Sequence, residues 1–253
     1  MSDFDRNVAA RGGFADRAAA VDAGLRAYML RVYNYMAAAV ALTGVVAYAT
    51  FNAAVVTDAS GKITALTPFG QTIFSGPLSI VLLLGTLGLV FFISFRINRL
   101  QYTTAMTLFM VYAALLGVTL SSIFLVYTGA SITRVFFISA ASFGALSLYG
   151  YSTQRDLSAM GSFMIMGLFG IIIASLVNIF LKSSGLDWAI SIIGVGVFAG
   201  LTAWDTQRIK EMYNSMDDDG TVSGRKAVMG ALSLYLDFIN LFLMLLRLVG
   251  DRR

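Results

Sequence analysis

Long apolar segments alternate with short polar ones along almost the whole chain. Each apolar segment is roughly 18–25 residues long, the length that an α-helix needs to cross about 30 Å of hydrocarbon. The segments are continuously apolar and lack the two-residue alternation of a membrane β-barrel. The pattern therefore predicts an all-α membrane protein whose helical spans cover residues 28–51, 77–95, 103–127, 132–151, 159–181, 186–209 and 227–249.

The polar segments divide the chain into two predicted regions. Residues 1–27 carry mixed charges and are predicted to form a polar cytoplasmic segment, followed by a transmembrane domain over residues 28–250. The longest polar interruptions are residues 52–76 and 211–226. The second contains three consecutive aspartates, Asp217–Asp219, which lack the alternating ligands of a calcium-binding loop. We interpret them as part of a solvated loop.

Composition limits the chemistry that the chain can perform. Hydrophobic residues make up 58% and charged residues 13% of the sequence, too few charges for the surface of a soluble fold of this length. The sequence has no Cys and no His, which excludes disulfides, thiolate metal sites and imidazole proton relays. Any response to pH near neutrality must therefore come from carboxylates. We interpret the basic residues as orientation signals and expect no nucleic-acid partner.

The distribution of Lys and Arg between the connecting segments predicts the orientation. With the N-terminus inside, twelve basic residues lie on the cytoplasmic side and six on the other. We therefore expect a cytoplasmic N-terminus. Seven complete spans then place Arg247, Arg252 and Arg253 outside, against the rule. A re-entrant last segment would remove that conflict, but residues 227–249 are long enough to cross, and we expect seven spans.

Asp237 is the strongest candidate for a functional side chain, because an ionisable group inside a span is costly unless it faces protein or water. Helical spacing places Ser233, Asp237, Asn240, Met244 and Arg247 on one stripe of the last span. Ser233 and Asn240 would form a polar seam that supports Asp237. The alternative is a structural aspartate that fixes helix packing through hydrogen bonds.

Asp205, at the end of the sixth span, is the second candidate. The short connection between the last two spans makes them antiparallel neighbours, so Asp205 could meet Asp237 across the interface. Two adjacent carboxyls in a low-dielectric site cannot both ionise cheaply, and they would share a proton or bind a hard cation such as Ca²⁺. The alternative for Asp205 is a solvated side chain or an ion pair with Arg208, three residues on.

Arg96, at the end of the second span, is the candidate counter-ion for this pair, and its alternative is a membrane-interface anchor. The sequence contains no HExxH, serine-nucleophile or phosphate-binding glycine motif, so we expect neither an enzyme nor a cofactor. An intramembrane aspartyl protease is a less favoured alternative, because neither Asp205 nor Asp237 follows a glycine.

Five segments carry a resemblance to a known family. They are the runs Ala231–Phe242, Leu245–Arg247, Trp204–Lys210, Gly150–Ser158 and Arg96–Asn98. Together they resemble the Bax inhibitor motif family, and the resemblance extends over residues 28–250. It implies a bacterial member of that family, located in the inner membrane, with seven helices and the last helix central in the bundle.

The resemblance also implies a function. Bacterial relatives are described as pH-sensitive calcium leak channels, in which a hydrogen-bonded aspartate pair on the last two helices senses protons. The matching residues are Asp205 and Asp237, and Arg96 lies nearest to the position of an arginine latch. Many relatives carry a glutamate within the second span, whereas Leu82–Thr86 contains none. Another group of relatives is described as modulators of a membrane-bound ATP-dependent protease, which is the alternative function.

Overall fold

The computed structural model describes residues 3–58, 62–213 and 220–253, without the side chains of residues 3–21, 98 and 220–221. Long helices dominate it: α1 (Asp3–Ala54), α3 (Pro77–Arg96), α4 (Tyr102–Leu120), α6 (Gly129–Ser152), α7 (Ser158–Leu181), α8 (Ser184–Glu211) and α9 (Gly220–Val249). Shorter elements connect them: β1 (Val55–Thr57), β2 (Ile63–Leu66), α2 (Pro68–Phe74), a 3₁₀ turn (Ile97–Arg99) and α5 (Ile123–Val126).

Seven helical segments are long and apolar enough to cross a membrane, and each contains or nearly coincides with one of the predicted spans. The prediction of seven spans is therefore confirmed. α1 is longer than its span, because residues 3–27 continue into it as one helix. The last helix begins at Gly220, seven residues before the predicted span. The expected solvated loop at Asp217–Asp219 lies outside the described residues.

The predicted polar connection after the first span has its own secondary structure. β1 and β2 form an antiparallel hairpin in which Val55 lies opposite Leu66. α2 follows at once, because the Thr67 hydroxyl accepts a hydrogen bond from the Gly70 amide and Pro68 occupies the first helical turn. These elements lie between α1 and α3, on the side of the bundle where α1 ends.

The last helix is the most buried span. It packs against α1, α4, α6 and α8. In its apolar membrane-spanning stretch 67% of the residues are buried, compared with 6% in the corresponding stretch of α7. α3 packs mainly on α4, and α7 packs on α8. Near the middle of α9, the buried Tyr235 has Phe109 and Tyr112 edge-on to its ring and forms a 2.7 Å hydrogen bond with the Thr43 hydroxyl. This contact joins α1, α4 and α9.

α9 traverses the full length of the bundle. Near its start, Arg225 donates a hydrogen bond to the Leu100 carbonyl, just before α4. Beyond its end, the amide of Arg253 donates to the carbonyl of Val126, the last residue of α5. The last span therefore crosses from one end of the third span to the other, as seven complete spans require. We call the end that contains Arg253 the tail end.

Candidate functional site

The packing of α8 against α9 fixes which of their side chains meet. The helices are antiparallel, and the register is set by two close contacts. Ile209 lies against Gly230, and Met244 lies against Gly194. Glycine allows both approaches, since an added Cβ would come within 3.0 Å of Ile209 and 2.8 Å of Met244. Between these contacts, the structure brings the carboxyl groups of Asp205 and Asp237 close enough to interact directly.

Asp205 and Asp237, the carboxyl pair, sit in unequal surroundings. Asp237 is only 5% exposed, and its Oδ2 has no hydrogen-bond partner within the described residues. Asp205 is half-buried and interacts electrostatically with Arg208 of its own helix. A carboxylate only accepts hydrogen bonds, so a bond between two carboxyls requires a proton on one of them. A hydrogen bond between Asp205 and Asp237 would therefore need one shared proton.

A chain of hydroxyls holds α8 in place beside the pair. Thr206 donates to the Thr202 carbonyl at 2.8 Å, so it accepts the hydrogen bond from Ser147, also at 2.8 Å. Ser147 has then used its only proton and accepts from Tyr33 at 2.7 Å. The chain runs from α1 through α6 to α8 and ends at the residue that follows Asp205.

Gln207 forms hydrogen bonds between α8 and residues 153–157, the α6–α7 loop, and Lys210 forms one to the adjoining end of α6. The Gln207 amide accepts a 2.8 Å bond from the Leu157 amide and donates one of 2.8 Å to the Arg155 carbonyl. Lys210 donates at 2.9 Å to the Tyr151 carbonyl, at the end of α6. Two side chains of α8 thus form hydrogen bonds with backbone groups of the loop and of the end of α6.

The same loop is closed by Asp156 at the start of α7. Its Oδ1 accepts a 2.8 Å hydrogen bond from the Ser158 amide. Hydrogen bonds from Ser158 to the ionised carboxylate hold the pKa of Asp156 below its usual range. Asp156 is exposed and lies outside the spans, whereas the carboxyl pair lies within two spans and Asp237 is buried.

Two glycines let neighbouring helices approach α8 near the pair. A Cβ on Gly150 of α6 would come within 2.1 Å of the Ala203 carbonyl oxygen. A Cβ on Gly161 of α7 would meet the ring of Trp204 at 2.2 Å. Arg208 also lies over the Trp204 ring, with its guanidinium carbon 5.4 Å from the ring centre. The end of α8 that carries Asp205 is therefore closely packed on several sides.

The structure does not bring every predicted site residue to the pair. Arg96 is exposed at the end of α3 and forms no hydrogen bond or ion pair with the described side chains. Asn240 donates its amide to the Leu236 carbonyl of its own helix, and Ser233 is half-buried on the same stripe. Farther along the stripe, Arg247 forms a 3.8 Å ion pair with Asp187 of α8. Of the predicted site residues Asp205, Asp237, Arg96, Ser233 and Asn240, only the first two interact directly with each other.

The carboxyl pair offers few ligands for a metal ion. No group of three or more acidic side chains that could hold a metal occurs within the described ranges. Ca²⁺ takes six to eight oxygen ligands, so water or hydroxyl oxygens would have to complete a calcium site at Asp205 and Asp237. The arrangement suits a transient contact with a cation better than a resident ion.

The sequence reasoning missed the side chains that position the pair. Gln207 and Lys210 lie within the motif Trp204–Lys210, where Lys210 reads as an interfacial side chain, and no pattern in the sequence connects Ser147 with Thr206. A signal was available. Gln207 and Lys210 are three residues apart on one face of a helix end, where polar side chains reach toward an adjoining loop.

Comparison with known proteins agrees with this architecture. Residues 25–253 match the family model described as inhibitor of apoptosis-promoting Bax1. The chain is 53% identical over 232 residues to a protein of Rickettsia prowazekii, covering 92% of each chain. It is 49% identical over 232 residues to inner membrane protein YbhL of Escherichia coli, covering 91% of this chain and 94% of YbhL. A Caulobacter vibrioides protein is 42% identical over 259 residues, covering 100% of both. The chain therefore belongs to the Bax inhibitor motif family of multi-pass membrane proteins.

Proposed function

We propose that this protein is a pH-sensitive Ca²⁺ leak channel of the bacterial inner membrane, gated by the carboxyl pair. The observation that supports this function is the close approach of the Asp205 and Asp237 carboxyl groups across two packed spans, with Asp237 buried. The inner membrane is supported by the name of the relative YbhL. A cytoplasmic N-terminus, inferred from the Lys and Arg distribution, would place Asp205 toward the cytoplasm.

The proposed gate depends on one proton. While the pair is protonated, its hydrogen bond holds α8 against α9. Loss of that proton would leave two carboxylates in contact in a low-dielectric interior, where like charges repel strongly. Arg208 is the only other charged group that acts on the pair among the described side chains, and it acts on Asp205 alone. Repulsion at Asp237 would therefore be relieved by separating the helices or by admitting a cation.

The packing around Tyr235 fits the closed form of such a channel. Tyr235 is fully buried two residues before Asp237, and Phe109 and Tyr112 pack edge-on against it. Opening would have to move α9 relative to α4 and break the hydrogen bond between Tyr235 and Thr43. The proposed leak is therefore a rearrangement of the central helix, driven from the carboxyl pair.

Flux of Ca²⁺ into dye-loaded liposomes tests the proposal. The reconstituted protein should admit Ca²⁺ faster at pH 8 than at pH 6, because the pair loses its proton in that direction. Asp205→Asn and Asp237→Asn keep the shape of the side chain and each remove the repulsion between two carboxylates, so each should weaken the pH dependence of the flux. The double variant has no ionisable group left in the pair, and its flux should not depend on pH. Asp156→Asn is the matched control, because it replaces an exposed aspartate in the α6–α7 loop and keeps a side-chain oxygen that can accept the hydrogen bond from the Ser158 amide.

Two results would contradict the proposal. If variants of the pair kept the pH profile of the parent protein, the carboxyl pair would not be the gate. If the parent protein carried no Ca²⁺ at any pH, the channel function would be excluded.

As a second candidate we propose a modulator of a membrane-bound ATP-dependent protease, a role that needs no pore. It is favoured by the lack of an acid at Leu82–Thr86 and by α1, which continues from Asp3 into the first span as one helix. Co-purification from native membranes, with the full chain and with a chain lacking residues 1–27, tests it. Recovery of the protease with the full chain alone is expected, and failure to recover it with either chain would exclude this function.

A further inference from the structure

A groove of about 600 Å³ opens between α1 and α6. Its walls include Leu30 and Tyr33 of α1 and Gly144, Ser147 and Leu148 of α6. Leu30 is 53% exposed and Leu148 67% exposed, although both lie within spans. Large apolar side chains exposed at this depth face lipid, so the groove opens sideways into the bilayer.

The interior of the groove is almost entirely apolar. The hydroxyls of Tyr33 and Ser147 are bonded to each other and to Thr206, so they do not attract a polar ligand strongly. Gly144 lies in the wall, and a Cβ built on it meets no atom within 4 Å. That space is open because the residue has no side chain. The groove is thus suited to a narrow hydrocarbon chain.

Arg26 gives the groove one charged end. It lines the same groove, is exposed, and has no acidic partner among the side chains that the structure describes. Arg26 precedes Tyr33 by seven residues, which corresponds to about 10 Å along the helix. It lies at the boundary between the polar residues 1–27 and the apolar span, which is the depth of lipid headgroups.

We propose that this groove binds one anionic phospholipid, with an acyl chain between α1 and α6 and the phosphate on Arg26. Arg26, which has no acidic partner among the described side chains, complements a negative headgroup, whereas a zwitterionic headgroup brings an ammonium group that Arg26 repels. A partner helix is a poorer fit. A 10 Å length of a helix 10–12 Å wide occupies roughly 800–1,100 Å³, more than the groove holds.

The lipid would contact α8 only through the hydroxyl chain. Tyr33 and Ser147 form the back of the groove, and Ser147 bonds to Thr206, next to Asp205 in sequence. The site is separate from the carboxyl pair, and lipid binding does not depend on whether the protein conducts Ca²⁺. Its test therefore measures binding alone.

Native mass spectrometry of the full chain in detergent, with phosphatidylglycerol or phosphatidylcholine added, tests the proposal. The parent protein should bind phosphatidylglycerol about fivefold more tightly, the effect expected for one basic residue near an anionic surface. Arg26→Gln should remove that preference. Gly144→Leu fills the groove and should abolish binding of both lipids at this site. The matched controls are Arg99→Gln, an exposed arginine at the end of the 3₁₀ turn, and Gly88→Leu, whose Cβ also meets nothing within 4 Å.

Each outcome decides the proposal. A preference for phosphatidylglycerol that Arg26→Gln removes and Arg99→Gln keeps supports the headgroup site. Loss of binding with Gly144→Leu and not with Gly88→Leu supports the acyl-chain site. Equal binding of both lipids by the parent protein, or an unchanged preference in Arg26→Gln, would overturn the proposal even if Gly144→Leu failed to fold.

Discussion

Aspartates connect α8 to α9 at two places, and the two contacts are chemically opposite. Near the start of α8, Asp187 faces Arg247 at 3.8 Å, with both side chains about two-fifths exposed. Near its end, Asp205 faces another carboxyl, that of the buried Asp237. The same two helices are thus joined by an exposed ion pair at the tail end and by two adjacent carboxyl groups farther along.

The difference shows where the interface can respond to pH. The contact between Asp187 and Arg247 joins opposite charges and needs no shared proton. A carboxyl–carboxyl hydrogen bond exists only while one proton is retained, and its loss turns attraction into repulsion. We therefore expect α8 and α9 to stay joined at Asp187–Arg247 and to separate first at Asp205–Asp237.

The tail end has further fastenings. Asp251 forms a 2.7 Å ion pair with Arg134 of α6, and its backbone carbonyl accepts from the Thr128 amide. Arg253 donates to the carbonyls of Val126 and Tyr127. Of the three arginines that conflict with the charge distribution, Arg247 is paired with Asp187 and Arg253 donates to backbone carbonyls. We therefore expect the helices to stay packed at the tail end when the carboxyl pair separates.

The largest effect is expected from forcing α6 away from α8 near the carboxyl pair. In Gly150→Val the new Cβ would overlap the Ala203 carbonyl oxygen, a backbone atom that cannot move aside cheaply. We expect a loss of about 1–3 kcal/mol or more, measured as a lower unfolding temperature in detergent. Gly144→Val, on the same helix but with open space around its Cβ, should leave the unfolding temperature nearly unchanged. Equal losses in both variants would contradict close α6–α8 packing at this end.

A smaller effect is expected from releasing the α6–α7 loop. Gln207→Leu removes two hydrogen bonds and leaves the amide of the buried Leu157 without its partner. An unsatisfied buried donor costs about 1–3 kcal/mol, so the unfolding temperature should fall. Gln154→Leu replaces an exposed glutamine in the same loop and serves as the control. If the two variants were equally stable, α8 would not depend on the loop for its position.

Much of the fold was predictable because helices that cross a membrane need long, continuously apolar segments. Seven apolar segments of sufficient length gave seven spans, and their ends differ from the helices by a few residues at most positions. The exceptions have physical reasons. Residues 3–27 are polar yet helical, because helix formation in α1 does not require an apolar face. The β1–β2 hairpin escaped prediction because its strands are only three and four residues long.

The site was predictable only in its central feature. Asp205 and Asp237 stood out because carboxyls within apolar spans are costly and must find a partner. The side chains that position them carry no comparable signal, since Ser147 and Thr206 resemble the many hydroxyls that bond to their own helix. Arg96 showed the opposite problem. Its charge and place in the chain suggested a latch, whereas its exposure depends on the orientation of α3, which spacing alone does not determine.

The smallest effect should come from breaking the fixed contact at the tail end. Asp187→Asn removes the ion pair with Arg247, and exposed ion pairs contribute about 0–1 kcal/mol. The unfolding temperature should fall slightly at low salt and hardly at all in high salt, where surface charges are screened. The pH profile of Ca²⁺ flux should match that of the parent protein, because the carboxyl pair is intact. A flattened profile in Asp187→Asn would mean that the tail end takes part in gating, and the contrast between the two contacts would then fail.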